Sequence, residues 1–213
     1  MKKSFVFSGS GGQGIMSAGI TLAQTAIDME KHSTFLPEYG PEQRGGSAKC
    51  TVIISDTEII SPLPKKCDIL IAMNEQAYSK FIDDVKEGGV VVANSSRIKE
   101  IERQDVKTIS VPVDDVALEL GNVKVANTVL IGVLIGATGI ISKEAVLDSL
   151  AKKFKDKSPK IMELNIAAIE KGIELKLASG DVSVDDKIEE TLFFYPIIGV
   201  MNDLSHRICN LNS

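Results

Sequence analysis

The chain has 213 residues, 44% hydrophobic and 25% charged, enough for a sizeable core in one large domain or two small ones. These proportions argue against a disordered, collagenous or coiled-coil protein. With 24 basic against 29 acidic residues, a formal charge of −5, a broad nucleic-acid footprint is not expected, though a local anion site remains open.

Lys2 and Lys3 precede an apolar stretch that breaks at Gly9, too short for a secretory signal and better read as a first strand, Ser4 to Phe7. A glycine turn follows, Gly9 to Gly14. Ile15, Ala18, Leu22, Ala23, Ala26 and Ile27 then fall on one face of a helix ending near Glu30. A second strand is expected at Thr34 to Leu36, then a polar stretch, Pro37 to Ser47, and a β-branched strand, Lys49 to Ser55. Asp56-Thr57 reads as a turn into Glu58 to Ser61, which suggests a hairpin. The runs Ile69 to Met73, Val90 to Ala93 and Thr108 to Val111 have the continuous apolar character of strands buried on both faces, and Asn74 can cap a helix through about Phe81. Strands alternating with helices define an α/β class with a mostly parallel sheet and helices on both faces.

From Val113 the pattern is helical. Asp114 and Asp115 suit a first turn and Gly121 a stop, Asn127 to Gly136 is a buried stretch, Ser142 can cap a helix through Phe154, and Ser158-Pro159 opens another over Lys160 to Leu177. Val125 to Ser142 is an uncharged run of 18 residues, the lower limit for a membrane span. It contains Asn127, Thr128 and Thr138 and is flanked by Lys124 and Lys143, so it is expected to be a buried helix of a cytoplasmic protein with no membrane role. Ser179 to Asp186 reads as a linker. The apolar residues Phe193, Phe194, Tyr195, Ile197 and Ile198 that follow suit an interface patch or a terminal helix packed on its own domain.

Cys50, Cys67 and Cys209 form no CxxC, and only His32 and His206 could join them, so neither an iron–sulfur cluster nor a zinc site is expected and all three cysteines read as core. Gly9, Gly11 and Gly14 place GxGxxG between a strand and a helix, where it can seat a phosphate at the helix N-terminus. Glu38 is the nearest acidic candidate for a ribose and lies after Pro37, off the strand end. NAD or FAD binding, binding of another phosphate-bearing group and a purely structural turn therefore all stay open. The second constellation, Pro37 to Gly46, brackets Arg44 between Gly40-Pro41 and Gly45-Gly46. A guanidinium held there suits a phosphate, a carboxylate or a partner's acidic side chain, or it pairs locally with Glu38 or Glu42. Catalytic groups are few, with Asp83-Asp84 and Asp114-Asp115 reading as helix-end charges.

Together SGSGGQG at Ser8 to Gly14, LPEYGPEQRGGSAKCTVIIS at Leu36 to Ser55, DILIAMN at Asp68 to Asn74 and VANTVLIGVLIGATG at Val125 to Gly139 closely resemble the gamma subunit of 2-oxoacid:ferredoxin oxidoreductases. The resemblance covers about residues 1–178, and residues 179–213 form an extension of unknown role. The YGPE form is most similar to the 2-oxoglutarate and branched-chain members. The resemblance implies a three-layer, Rossmann-like sheet with a β-hairpin insertion and a helical C-terminal part. It implies an enzyme subunit inactive alone, with no catalytic residue, metal or tightly bound cofactor of its own. Coenzyme A would be a transient ligand. Alpha and beta subunits and a ferredoxin-like delta subunit would carry thiamine diphosphate, magnesium and iron–sulfur clusters, with ferredoxin as electron acceptor. By the same resemblance Gly9, Gly11, Gly12, Gln13 and Gly14 are expected at the ligand, and Tyr39, Gly40, Glu42, Arg44, Gly45 and Gly46 at substrate or a neighbouring subunit. The competing expectations are a free-standing nicotinamide or flavin oxidoreductase and a scaffold that binds nothing.

Overall fold

The computed structural model describes residues 1–40 and 46–178. Six strands form one sheet in the order β2-β3-β1-β4-β5-β6: β1 (Lys2–Ser10), β2 (His32–Tyr39), β3 (Ser47–Ser55), β4 (Cys67–Ala72), β5 (Val85–Asn94) and β6 (Lys107–Val111). β1, β4, β5 and β6 pair in parallel, whereas β3 pairs antiparallel with both β1 and β2. Only β3 therefore runs against the others, and the sheet is mixed.

Alternation sorts the side chains into layers. Phe5, Phe7, Ile69, Ile71, Val90, Val92, Ile109 and Val111 face one layer, built by α1 (Ile15–Asp28), α3 (Val113–Glu119), α4 (Ala126–Thr138), α5 (Lys143–Lys153) and α6 (Pro159–Ala178). Val6, Leu70, Ala72, Val91 and Ala93 face the other, covered by α2 (Glu75–Phe81) through Tyr78 and Phe81, and by Ile98. The three-layer α/β arrangement expected from the sequence is present, with the helices shared unequally. The uncharged run from Val125 is α4, apolar on nearly every side and packed among α1, α3 and α6. Among the described residues no helix is long and apolar enough to cross a membrane.

The hairpin expected at Glu58–Ser61 is corrected. That segment is not a strand, because Ile60 has no face to bury against, and Pro62 and Pro64 interrupt any ladder beyond it. The hairpin is instead β2–β3, in register from His32 opposite Ser55 to Tyr39 opposite Ala48, and within the polar stretch that begins at Pro37 the strands take in residues 37–39 and Ser47. Gly40 N–H donates to Ser47 O at 2.8 Å, so the alternate residues Tyr39 and Pro37 direct their backbone groups outward. The donor that Pro37 lacks is therefore on the open edge, where its loss costs no ladder bond. β1 also continues through Ser10, which shortens the glycine turn to residues 11–14.

Polar side chains pin the strand ends. Fully buried Asn94 donates to Met73 O (3.3 Å) and to Asp114 Oδ1 (3.0 Å), and accepts from Val113 N–H (3.1 Å), which fixes the start of α3 against β4 and β5. Asp114 also pairs with Arg97. At the opposite end Asp56 accepts from Lys31 (2.7 Å) and from the N-terminal ammonium (2.6 Å), and these partners hold its carboxyl down at about 2. Such a depressed carboxylate contributes stability above its unfolded pKa and loses it as pH falls from about 4 towards 2. Asp56→Asn is expected to flatten the fall of melting temperature across that window, read by circular dichroism; an unchanged slope would show that these pairs do not matter to acid stability.

Cys50 and Cys67 are free and buried, and burial pushes both thiols up to about 12. Thiolate is the reactive form. Neither should be alkylated by iodoacetamide at pH 8 until denaturant is added, a result peptide mass mapping would check. Cys209, His206 and the apolar tail lie outside the described residues.

Candidate functional site

β1 delivers its last residue, Ser10, to the carboxyl edge of the sheet, and α1 starts five residues later. Between them Gly12 and Gly14 have φ values of 94° and 75°, in the left-handed region that favours glycine. Gly14 is the residue before α1, so no side chain caps the helix, and a methyl at that position would meet Asn127 at 2.9 Å. The first N–H groups of a helix have no partner within it and carry its positive dipole end. Here they open onto a cleft of ≈ 370 Å³.

One wall of the cleft is Ser10, Gly11, Gly12, Gly14, Ile15, Met16 and Ser17; the other is Tyr39, Gly40, Gly46, Ser47 and Ala48. The two constellations read separately in the sequence thus form one site. They meet because β3 pairs antiparallel with β1, setting Ser10 opposite Ser47 and Gly9 opposite Ala48, and Gly11 N–H donates to Gly46 O at 3.0 Å. Tyr39, 73% exposed, stands at the rim. Glu42, Arg44 and Gly45 lie outside the described residues.

Gly9 and Gln13 serve the loop from behind. Gly9 is buried, and an added methyl would meet Gln13 Oε1 at 2.6 Å and Met73 at 3.0 Å. Gln13 Oε1 accepts from Ser10 N–H (2.6 Å) and from Asn74 Nδ2 (3.0 Å), so the carboxamide braces the turn. Asn74, foreseen as a cap, does accept from Ala77 N–H at 2.8 Å, and its amide also reaches Ser10 Oγ at 2.9 Å. This brace had no sequence signal, because its members are about 60 residues apart.

The surroundings are cationic. Lys80 Nζ donates to Ser47 Oγ (3.1 Å), and Lys153 Nζ donates to Ser17 Oγ (2.7 Å) and Thr21 Oγ1 (3.1 Å), burial lowering the pKa of Lys153. No carboxylate is among the described lining residues. Glu38 is paired with Lys49 at 3.2 Å on the edge strand, and β3 separates that strand from β1. Dinucleotide folds place the strand bearing the ribose-binding acid beside the first strand, and that arrangement is not formed here. Among the described residues no cluster of histidine, cysteine and carboxylate side chains could hold a metal ion.

The fold and cleft define a class, an α/β domain whose first helix opens onto a cation-flanked glycine cradle suited to an anion. Residues 4–175 match the family model described as pyruvate ferredoxin/flavodoxin oxidoreductase, and the chain belongs to that family. It is 39% identical over 183 residues to the 2-oxoglutarate synthase subunit KorC of Methanocaldococcus jannaschii, covering 82% of this chain and 94% of that one. It is 37% identical over 169 residues to the ketoisovalerate oxidoreductase subunit VorA of Methanothermobacter marburgensis, covering 78% of this chain but spanning only 35% of VorA. Among solved structures, the keto/oxoacid ferredoxin oxidoreductase gamma subunit of Geobacter sulfurreducens superposes with a TM-score of 0.75 at 32% identity, over 84% of this chain and 98% of that one. The 2-oxoglutarate:ferredoxin oxidoreductase of Magnetococcus marinus, solved with 2-oxoglutarate, coenzyme A and succinyl-CoA bound, shares the fold with a TM-score of 0.80 at 24% identity, over 85% of this chain and 32% of that one.

Proposed function

We propose that this chain is the gamma subunit of a 2-oxoacid:ferredoxin oxidoreductase. The complex oxidises 2-oxoglutarate or a branched-chain 2-oxoacid, releases CO₂, transfers the acyl group to coenzyme A and passes two electrons to ferredoxin. Partner subunits, alpha, beta and a ferredoxin-like delta, supply thiamine diphosphate, magnesium and iron–sulfur clusters. The assembly is cytoplasmic. The relatives named for 2-oxoglutarate and ketoisovalerate support the substrate class, and the likeness to KorC and to the Geobacter sulfurreducens gamma subunit supports the subunit.

The open glycine cradle is the observation that carries the role of the chain itself. Gly11, Gly12 and Gly14 leave room beside the start of α1, and Lys80 and Lys153 hold two hydroxyls at its walls. Because Lys153 donates to Ser17 Oγ, the Ser17 hydroxyl proton is free to point at a phosphate oxygen. The cradle binds a phosphate of coenzyme A and orients it; the chain performs no bond-making step. Tyr39, Gly40 and Gly46 form the side that meets the ligand or a neighbouring subunit, a role in which Glu42, Arg44 and Gly45 are proposed to share.

The deciding experiment is reconstitution. Partner subunits mixed with this chain should reduce a viologen dye in a coenzyme A-dependent reaction, and omission of the chain should abolish it. Equal rates without it would overturn the reading.

A further inference from the structure

We infer that the end of the sheet opposite the glycine cradle docks an acidic segment of a partner polypeptide, seated on Ile60 and Leu63 and held by Lys2, Lys65 and Lys66; this rests on the subunit reading above. A groove of ≈ 420 Å³ opens there between the first residues of β1 and β4 and the connection from β3 to β4.

The charge of this groove is uncompensated. Asp68 is the one carboxylate among its described lining residues, and it is already engaged by Lys86 (2.7 Å) and by the backbone N–H and hydroxyl of Ser4 (2.8 and 2.6 Å). Lys2 and Lys65 have no ion pair or hydrogen bond with any described residue, and Lys66 has only the field of Asp105. These ammonium groups stand together in a chain whose formal charge is −5, so the patch is local and suits carboxylates rather than reflecting a generally basic surface.

The apolar component is held out by design of the loop. Leu63 lines the groove and is 64% exposed; Ile60, three residues earlier on the same loop and outside the groove's lining, is 98% exposed and extends the apolar surface beside it. Their loop is braced at one end by Asp56, clamped to Lys31 and the N-terminal ammonium, and along its length by Thr57 N–H to Ser55 Oγ (3.1 Å) and Leu63 N–H to Ser61 Oγ (3.3 Å). Pro62 and Pro64 fix further dihedrals. A pre-ordered loop loses little entropy on binding, so the burial of both side chains goes to affinity. Two apolar residues on a non-helical loop are a poor membrane anchor, which normally needs an amphipathic helical face or a lipid. A polypeptide fits better for a second reason. The matching domain makes up 35% of VorA but 94% of KorC, so it occurs both joined to a longer chain and apart, and the separate form needs a non-covalent surface for what the joined form holds by peptide bond.

The test uses the complex purified from its native host and treated with a zero-length carbodiimide, which joins an amine to a carboxylate in contact with it. Peptide mass mapping should find Lys2, Lys65 or Lys66 joined to aspartate or glutamate of a companion subunit. Ile60→Ser with Lys65→Glu and Lys66→Glu, all exposed changes, should weaken association at least tenfold with an unchanged melting temperature, whereas Gly11→Leu should leave it intact. Cross-links only to carboxylates in residues 179–213 of the same chain, undiminished association of the triple variant, or binding to phosphatidylserine vesicles without cross-links to a companion would each overturn the docking inference while leaving the subunit reading in place. Purification with no companion at all would remove both.

Discussion

Gly172→Ala should destabilise the fold by about 2 kcal/mol, read as a lower urea midpoint at unchanged slope. α4 and α6 cross at Gly132 and Gly172. A methyl on Gly172 would overlap the carbonyl oxygen of Val129 and sit 2.8 Å from Val133 N and 2.9 Å from Gly132 Cα; one on Gly132 would overlap the carbonyl of Ile169. Every obstacle is helix backbone, which cannot turn aside as a side chain would. The helices must separate, loosening the buried residues Val129, Val133, Ala168 and Ile169 and the 2.8 Å bond from Thr128 Oγ1 to Asn165 Oδ1. Overpacking of this kind costs about 3 kcal/mol, and the better helix propensity of alanine offsets about 1. Gly136→Ala is the control, since its methyl would meet Lys176 Cβ at 3.2 Å, a contact that a shift of a few tenths of an ångström relieves. Equal midpoints for the two variants would show that the crossing does not depend on bare backbone.

Gly11→Leu should weaken coenzyme A binding about 30-fold, the loss of about 2 kcal/mol expected when a charged group loses its hydrogen-bond donors. Gly11 is exposed at the cleft, so a leucine there fills space meant for the ligand while the Gly11 N–H can still reach Gly46 O. Its φ is not among the positive values, so the substitution adds no left-handed strain and the melting temperature should hold. In the reconstituted complex the effect should appear as a raised KM for coenzyme A with kcat retained at saturation, because a phosphate far from the reacting thiol is bound equally in ground and transition states. An unchanged Kd by calorimetry would leave the glycine turn a structural corner.

Elements whose signals are local were legible. Asn74 and Ser142 cap α2 and α5 as expected, accepting from Ala77 and Ala145 N–H, and Pro159 opens α6. Each depends on residues within one turn. The hairpin is misplaced in the sequence reading because Thr34–Leu36 and Lys49–Ser55 give no sign of pairing across the glycine-containing stretch between them, whereas Asp56-Thr57 imitates a turn. Gln13 is expected at the ligand by its position in the motif; its Oε1 is taken by Ser10 N–H and the Asn74 amide, which leaves the donor half of the carboxamide for that role.

The sequence by itself determined the α/β class, the glycine loop ahead of a helix and the buried character of α4, because hydrophobic period, caps and glycine placement act over a few residues. Tertiary structure alone decided that β3 lies between β1 and β2, and with it the character of the site. That antiparallel pairing brings Gly46 to Gly11, takes the edge strand and Glu38 away from any dinucleotide position, and makes one cleft of two loops. Such pairings depend on contacts tens of residues apart, whose register is set by which faces can be buried together.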